Sequence, residues 1–72
     1  MKKPQKIWVA WFANTTDKRD DEWAVYRNCT QAQAIKQAMN HMDMRGGVDL
    51  EGVFPLKSFI RRYGFDPTKP LR

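Results

Sequence analysis

Residues 6–13 form an almost continuous apolar run rich in β-branched and aromatic side chains, and this pattern predicts a β-strand. Its two faces consist of Ile7, Val9, Trp11 and Ala13 on one side and of Trp8, Ala10 and Phe12 on the other. Because both faces are apolar, we expect a central strand or one that is covered on both sides. The polar, charged residues 14–21 predict a hairpin loop, and residues 22–27 predict a second strand.

A helix follows, and it begins with the clearest local signal in the chain. Thr30 and Gln33 have the spacing of a capping box, in which each side chain satisfies a backbone N–H of the other residue. Residues 31–44 are dense in good helix formers, and Gly46 with Gly47 predicts the end of the helix. The spacing predicts one apolar stripe, formed by Ile35, Ala38, Met39 and Met42.

The last third of the chain predicts a strand and then an ambiguous segment. Residues 48–53 alternate as a third strand, in which Gly52 indicates a bulge. In Leu56–Tyr63 four apolar residues share one helical face, which favours a short helix, with a fourth strand as the alternative. The predicted fold class is therefore α+β: a three-stranded, antiparallel-containing sheet in ββαβ order with one main helix and a short C-terminal helix. We expect residues 1–72 to form one domain with flexible ends at 1–5 and 66–72.

Length and cysteine usage limit how this domain is stabilised. A chain of 72 residues buries only about 60% of the surface that it exposes when unfolded, so its core is thin. The single cysteine excludes a disulfide within the chain, and one cysteine with one histidine is too few for structural zinc. A binding partner is the remaining source of extra stability, and a second copy of the chain is one candidate.

The charge is +5 at pH 7, and both ends of the chain are basic. Such ends suit a nucleic-acid backbone or an acidic protein surface, although they also serve solubility. The seven apolar residues after the N-terminal lysines are too short for a convincing secretory signal, and no segment is apolar over the length of a membrane span. With a lone reduced thiol, we expect a location in the cytoplasm of a bacterial host cell and no membrane partner.

Two spacings carry a resemblance to a known group of proteins. Thr30, Ala34 and Ala38 recur every four residues after a strand hairpin, and residues 47–55 form the returning strand. This order resembles small bacteriophage-encoded proteins of strand–strand–helix–strand form, which include inhibitors of host RNA polymerase. The resemblance covers about residues 7–55 and implies the fold, a phage origin and a host protein or ribonucleoprotein complex as partner. In the polymerase inhibitors arginines of the returning strand contribute to the contact, whereas residues 47–55 contain none.

Catalytic side chains are scarce. His41 is the only histidine, and it borders the predicted apolar stripe, as a partly buried structural histidine does. Cys29 precedes the helix N-terminus, but no general base is recognisable beside it. We therefore expect no enzymatic activity, no catalytic residues, no cofactor and no metal.

Aromatic and basic side chains are the better candidates for function. One helix covers only one face of a three-stranded sheet, so either Leu56–Tyr63 closes the second face or an aromatic patch with Trp8 and Phe12 stays exposed for a partner. Lys57, Arg61 and Arg62 form the densest basic cluster, and phosphate contact or a solvated helix face explains it equally well.

These residues lead to two functional hypotheses. The first is a phage-type accessory protein that binds and inhibits a host protein machine, such as RNA polymerase or a defence complex, through Trp8 and Phe12. The alternative is a small basic nucleic-acid-binding module that uses Lys57, Arg61 and Arg62.

Overall fold

The computed structural model describes residues 6–69, which fold as one sheet between two helices. The elements are β1 (Ile7–Asn14), β2 (Glu22–Arg27), α1 (Gln31–Arg45), β3 (Val48–Pro55) and α2 (Leu56–Tyr63). A turn of 3-10 helix, Lys18–Asp20, lies in the loop between β1 and β2. The three strands form an antiparallel sheet in the order β2–β1–β3, so the predicted α+β architecture is confirmed. The ambiguous segment is the helix α2 and not a fourth strand.

β1 lies at the centre of the sheet, as its two apolar faces predict. Its register with β3 shifts in the middle, because Trp11 lies opposite Gly52 whereas Phe12 lies opposite Leu50. Glu51 is therefore the extra residue of a β-bulge, which lies directly beside the predicted glycine.

The predicted capping box starts α1. The Thr30 hydroxyl accepts a hydrogen bond from the Gln33 backbone N–H at 3.2 Å, and the Thr30 N–H donates to Gln33 Oε1 at 2.9 Å. The helix ends at Gly46, whose φ of 71° is costly for residues with a side chain.

The apolar stripe of α1 is rotated from the predicted one. Ala34 and Ala38 are fully buried, whereas Ile35 and Met39 are 37% and 50% exposed, so the prediction was wrong for those two residues. The reason is that the large Phe12 ring rises from the sheet into the core that contains Ala38, and only small helical residues leave room for it.

α2 covers the opposite face of the sheet. Phe59, its most deeply buried residue, is fully inaccessible, and Gly64 ends the helix with a left-handed φ of 82°. The expected flexible ends fall mostly on residues 1–5 and 70–72, which lie outside the described residues. Within residues 66–69, the Lys69 N–H donates to the Asp66 carbonyl at 3.3 Å and closes a turn.

Candidate functional site

Phe12 is buried and is not available to a partner. Its side chain is fully inaccessible in the core between the sheet and α1, and its ring lies 4.8 Å from the His41 ring. The expectation of an exposed aromatic patch at this residue is therefore wrong. The face that carries Phe12 is covered by α1, and the face that carries Trp11 is the one that α2 covers.

Trp8 is half-buried and has a fixed orientation. Its indole Nε1–H donates to the Cys29 carbonyl at 3.0 Å, which ties β1 to the segment before α1. Trp8 also lines an open cleft of about 390 Å³. The other lining residues are Lys6, Ile7, Pro55, Leu56 and Lys57. Only part of the indole is thus accessible, and it lies beside Lys57.

An aromatic cluster fills the space between α2 and the sheet. The Trp11 ring stacks on Tyr63 with centroids 4.2 Å apart and on Trp23 at 5.8 Å. Phe59 and Phe65 complete the cluster, with ring centroids 5.3 Å apart. Residues 56–63 therefore cover a face of the sheet, as one of the two expected arrangements requires, but it is the face of Trp11 and not that of Trp8 and Phe12. The aromatic surplus serves packing here, since rings in such offset and edge-to-face contacts stabilise a core.

α2 presents the predicted basic cluster to solvent. Lys57, Arg61 and Arg62 are all exposed, and Lys57 lies one helical turn from Arg61 on the outer side of the helix. The Arg62 guanidinium lies over two rings, 5.4 Å from the centroid of Phe54 and 5.7 Å from that of Tyr63. These cation–π contacts hold Arg62 close to the helix surface and reduce the entropy that it loses on binding an anion.

Phe54 is a part of this site that the sequence reasoning did not identify. A side-chain carbon on Gly52 would come within 2.8 Å of the Phe54 ring, so the ring lies over the glycine. Residues 52 and 54 share one face of β3, and a glycine two residues before an aromatic residue is the signal that predicts such a folded-over ring.

One more exposed cation, Arg27, lies on the side of the sheet that α2 covers, because it lies opposite Ile7 in the sheet register. Among the described side chains of residues 6–69, the basic residues in ion pairs are Arg19, His41 and Arg45, and none of them belongs to this surface. The cations of α2 therefore have no carboxylate partner in the described part of the chain. We call Arg27, Lys57, Arg61 and Arg62 the basic face.

His41 and Cys29 have structural contacts. His41 Nε2 lies 3.1 Å from Glu22 Oε2, and Arg45 Nε forms an ion pair with Glu22 Oε1 at 3.3 Å. Glu22 thus links β2 to the end of α1. Cys29 is half-buried, and its carbonyl is the acceptor for Trp8. These contacts give both residues a place in the packing between the sheet and α1.

Residues 6–69 contain no cluster of three or more His, Cys, Asp and Glu side chains that could hold a metal ion. The helices in that range are too short and too polar to cross a membrane. No family model, curated protein or solved structure matches the chain.

Proposed function

We propose that this protein is a non-enzymatic binding module whose basic face contacts the phosphate backbone of a nucleic acid. The observation that carries the proposal is the set of three exposed α2 cations without a carboxylate partner in the described residues. Phosphate contacts of Lys and Arg supply most of the sequence-independent affinity of nucleic-acid-binding proteins.

The arrangement of the cations supports contact with a backbone. Lys57 and Arg61 are separated by one turn, about 6 Å along the helix, so the two side chains can contact different phosphates of one backbone. Arg62 adds a planar guanidinium that is already oriented by Phe54 and Tyr63. Such a guanidinium donates two parallel hydrogen bonds to a phosphate.

A second candidate function is inhibition of a host protein machine, such as RNA polymerase or a defence complex. It is supported by the β–β–α–β element order, which is the order of the small phage proteins that the sequence resembles. Phe12 does not serve as the apolar anchor of such an interface, because its side chain is fully buried. Trp8 and Arg62, whose guanidinium lies over two rings, are the candidate anchor residues. Arginine and tryptophan are both enriched among the residues that dominate protein interfaces.

The salt dependence of binding tests the first proposal. Three neutralised phosphates give a slope of log affinity against log salt of about −2.7 for a duplex and about −2.1 for a single strand, which corresponds to a loss of about 40-fold for the duplex and about 20-fold for the single strand between about 50 and 200 mM salt. We expect fluorescence anisotropy with labelled single-stranded and duplex oligonucleotides to show this loss. The triple change of Lys57, Arg61 and Arg62 to Gln should abolish binding while the circular dichroism spectrum stays unchanged.

Single charge removals provide the matched control. Arg61→Gln should lower the salt slope by about 1. Arg19→Gln removes the same charge from an exposed side chain in the β1–β2 loop and should leave the slope unchanged. An equal effect of the two changes would mean that only net charge matters, and the basic face would then not be the site.

A pull-down from bacterial lysate with added nuclease separates the second candidate from the first. A protein partner that survives nuclease and is lost in Trp8→Ala, together with an absence of oligonucleotide binding, would overturn the nucleic-acid proposal in favour of the inhibitor. Oligonucleotide binding that the triple change abolishes would overturn the inhibitor.

A further inference from the structure

The outer side of α1 leaves apolar side chains without cover in the described structure. Ile35 is 37% exposed and Met39 is 50% exposed, and they lie one turn apart on the same side of the helix. A groove of about 580 Å³ follows this side. It is lined by Ala32, Ile35, Lys36, Gln37, Met39, Asn40 and Asp43. A thin core makes exposed apolar area of this kind costly for so small a domain.

The neighbours of Ile35 and Met39 show which way this side faces. Met42 lies next to them around the helix, and its Sδ accepts a hydrogen bond from the Leu50 N–H of β3 at 3.2 Å. His41 lies on the other side and contacts Glu22 of β2. Ile35 and Met39 therefore project past β3, which is an edge strand of the described sheet. Nothing in residues 6–69 covers α1 beyond that edge, so there is room for a second helix.

Two opposite charges lie beside the apolar strip that Ile35 and Met39 form. A two-fold rotation brings each charge of one copy next to the opposite charge of the other. Lys36 and Asp43 are seven residues apart, about 20° apart around the helix, and thus lie on the same flank of the strip. Lys36 precedes Met39 by three residues, about 4.5 Å, and Asp43 follows it by four, about 6 Å. In an antiparallel pair of helices centred on Met39, Lys36 of one copy lies within about 1.5 Å, along the axis, of Asp43 of the other. In a parallel pair the two-fold axis would put the charged flanks of the two copies on opposite sides of the contact, so neither Lys36–Asp43 pair would form.

We propose that the β3 side of α1 is a self-association surface, on which a second copy of the chain docks antiparallel. Ile35 and Met39 of the two copies pack in the centre, and two Lys36–Asp43 pairs flank them. Such a contact is isologous, the commonest form of dimer interface. The strip is small, so the dimer is a weak one that forms at high micromolar concentration. α2 lies on the other face of the sheet, and the basic face stays free in the dimer, so this proposal is independent of the proposed function.

Sedimentation velocity of the full chain, from low micromolar to about 1 mM, tests the proposal. We expect the mass to rise with concentration from 8.5 kDa to twice that value. Lys36→Glu and Asp43→Lys should each shift the midpoint to at least about tenfold higher concentration, because each creates two like-charge contacts. The double variant should restore the wild-type midpoint, since it exchanges the partners of both pairs.

A matched pair of methionine variants completes the test. Met39→Ser should prevent the dimer, whereas Met44→Ser should not, because Met44 is 80% exposed but lies on a different side of α1. Circular dichroism of each variant checks that the fold is retained. A wild-type chain that stays at 8.5 kDa at about 1 mM would overturn the proposal. Dimerisation that neither single charge reversal weakens, or that the double variant fails to restore, would do the same.

Discussion

The replacement of Phe59 by alanine tests whether α2 is anchored to the sheet. Phe59 is the only fully buried residue of α2, and its ring lies among those of Trp11, Tyr63 and Phe65, at 5.9, 4.6 and 5.3 Å between centroids. Three of the four cations of the basic face, Lys57, Arg61 and Arg62, belong to α2, so their positions depend on this anchor. Removal of the ring leaves a cavity between α2 and β1 that the neighbouring aromatic rings cannot fill without leaving their own contacts.

The expected cost is large relative to the stability of the domain. Truncation of a buried phenylalanine to alanine lowers the free energy of unfolding by about 3–5 kcal/mol. Three aromatic contacts, each of which contributes about 0.5–1.5 kcal/mol beyond buried area, favour the upper end of that range. A domain of 72 residues has a total free energy of unfolding of about 4–11 kcal/mol. Phe59→Ala should therefore remove about half of the stability or unfold the protein.

Urea unfolding, followed by tryptophan fluorescence and far-ultraviolet circular dichroism, measures this cost. The free energy of unfolding of a small domain falls by about 1 kcal/mol per M urea, so the midpoint of urea unfolding should fall by about 3 M or more. Phe59→Leu, which keeps part of the apolar volume, should cost only about 1–2 kcal/mol. Met44→Ala is the control, because Met44 is 80% exposed, and it should change stability by less than about 0.5 kcal/mol. A Phe59→Ala midpoint within about 0.5 M of the wild type would refute the packing of α2 on the sheet.

Two further predictions concern local hydrogen bonds. Thr30→Ala removes the side-chain acceptor of the Gln33 N–H and should cost about 1 kcal/mol, which a melting curve records as a fall of about 4–8 °C; an unchanged curve would mean that this cap does not stabilise α1. Thr68 donates its backbone N–H and its hydroxyl to Asp66 Oδ1, at 2.9 and 2.6 Å, and these bonds lower the pKa of that carboxyl below its usual value. Because the pKa is lower in the folded state, the contribution to stability is present at neutral pH and is lost as the pH falls through the lowered pKa. Thr68→Val should raise the Asp66 pKa in an NMR titration, and an unchanged value would contradict this cause.

The sequence by itself determined the elements whose signals are local. The capping box at Thr30 depends on residues three apart, and the two apolar faces of β1 follow from alternation alone, so both were predicted correctly. The same holds for the bulge beside Gly52, since glycine in a strand has few other uses. The exposure of Lys57, Arg61 and Arg62 also follows from helical spacing once the segment is helical.

Only the tertiary structure decided which helix covers which face of the sheet. Alternation assigns Trp8 and Phe12 to one face but says nothing about which helix packs there, because that depends on connections and on the shape of the whole domain. The stripe of α1 shows the same limit. Hydropathy favours Ile35 and Met39 as core residues, yet the close approach of helix to sheet around Phe12 requires the small Ala34 and Ala38, and steric fit outweighed hydrophobicity.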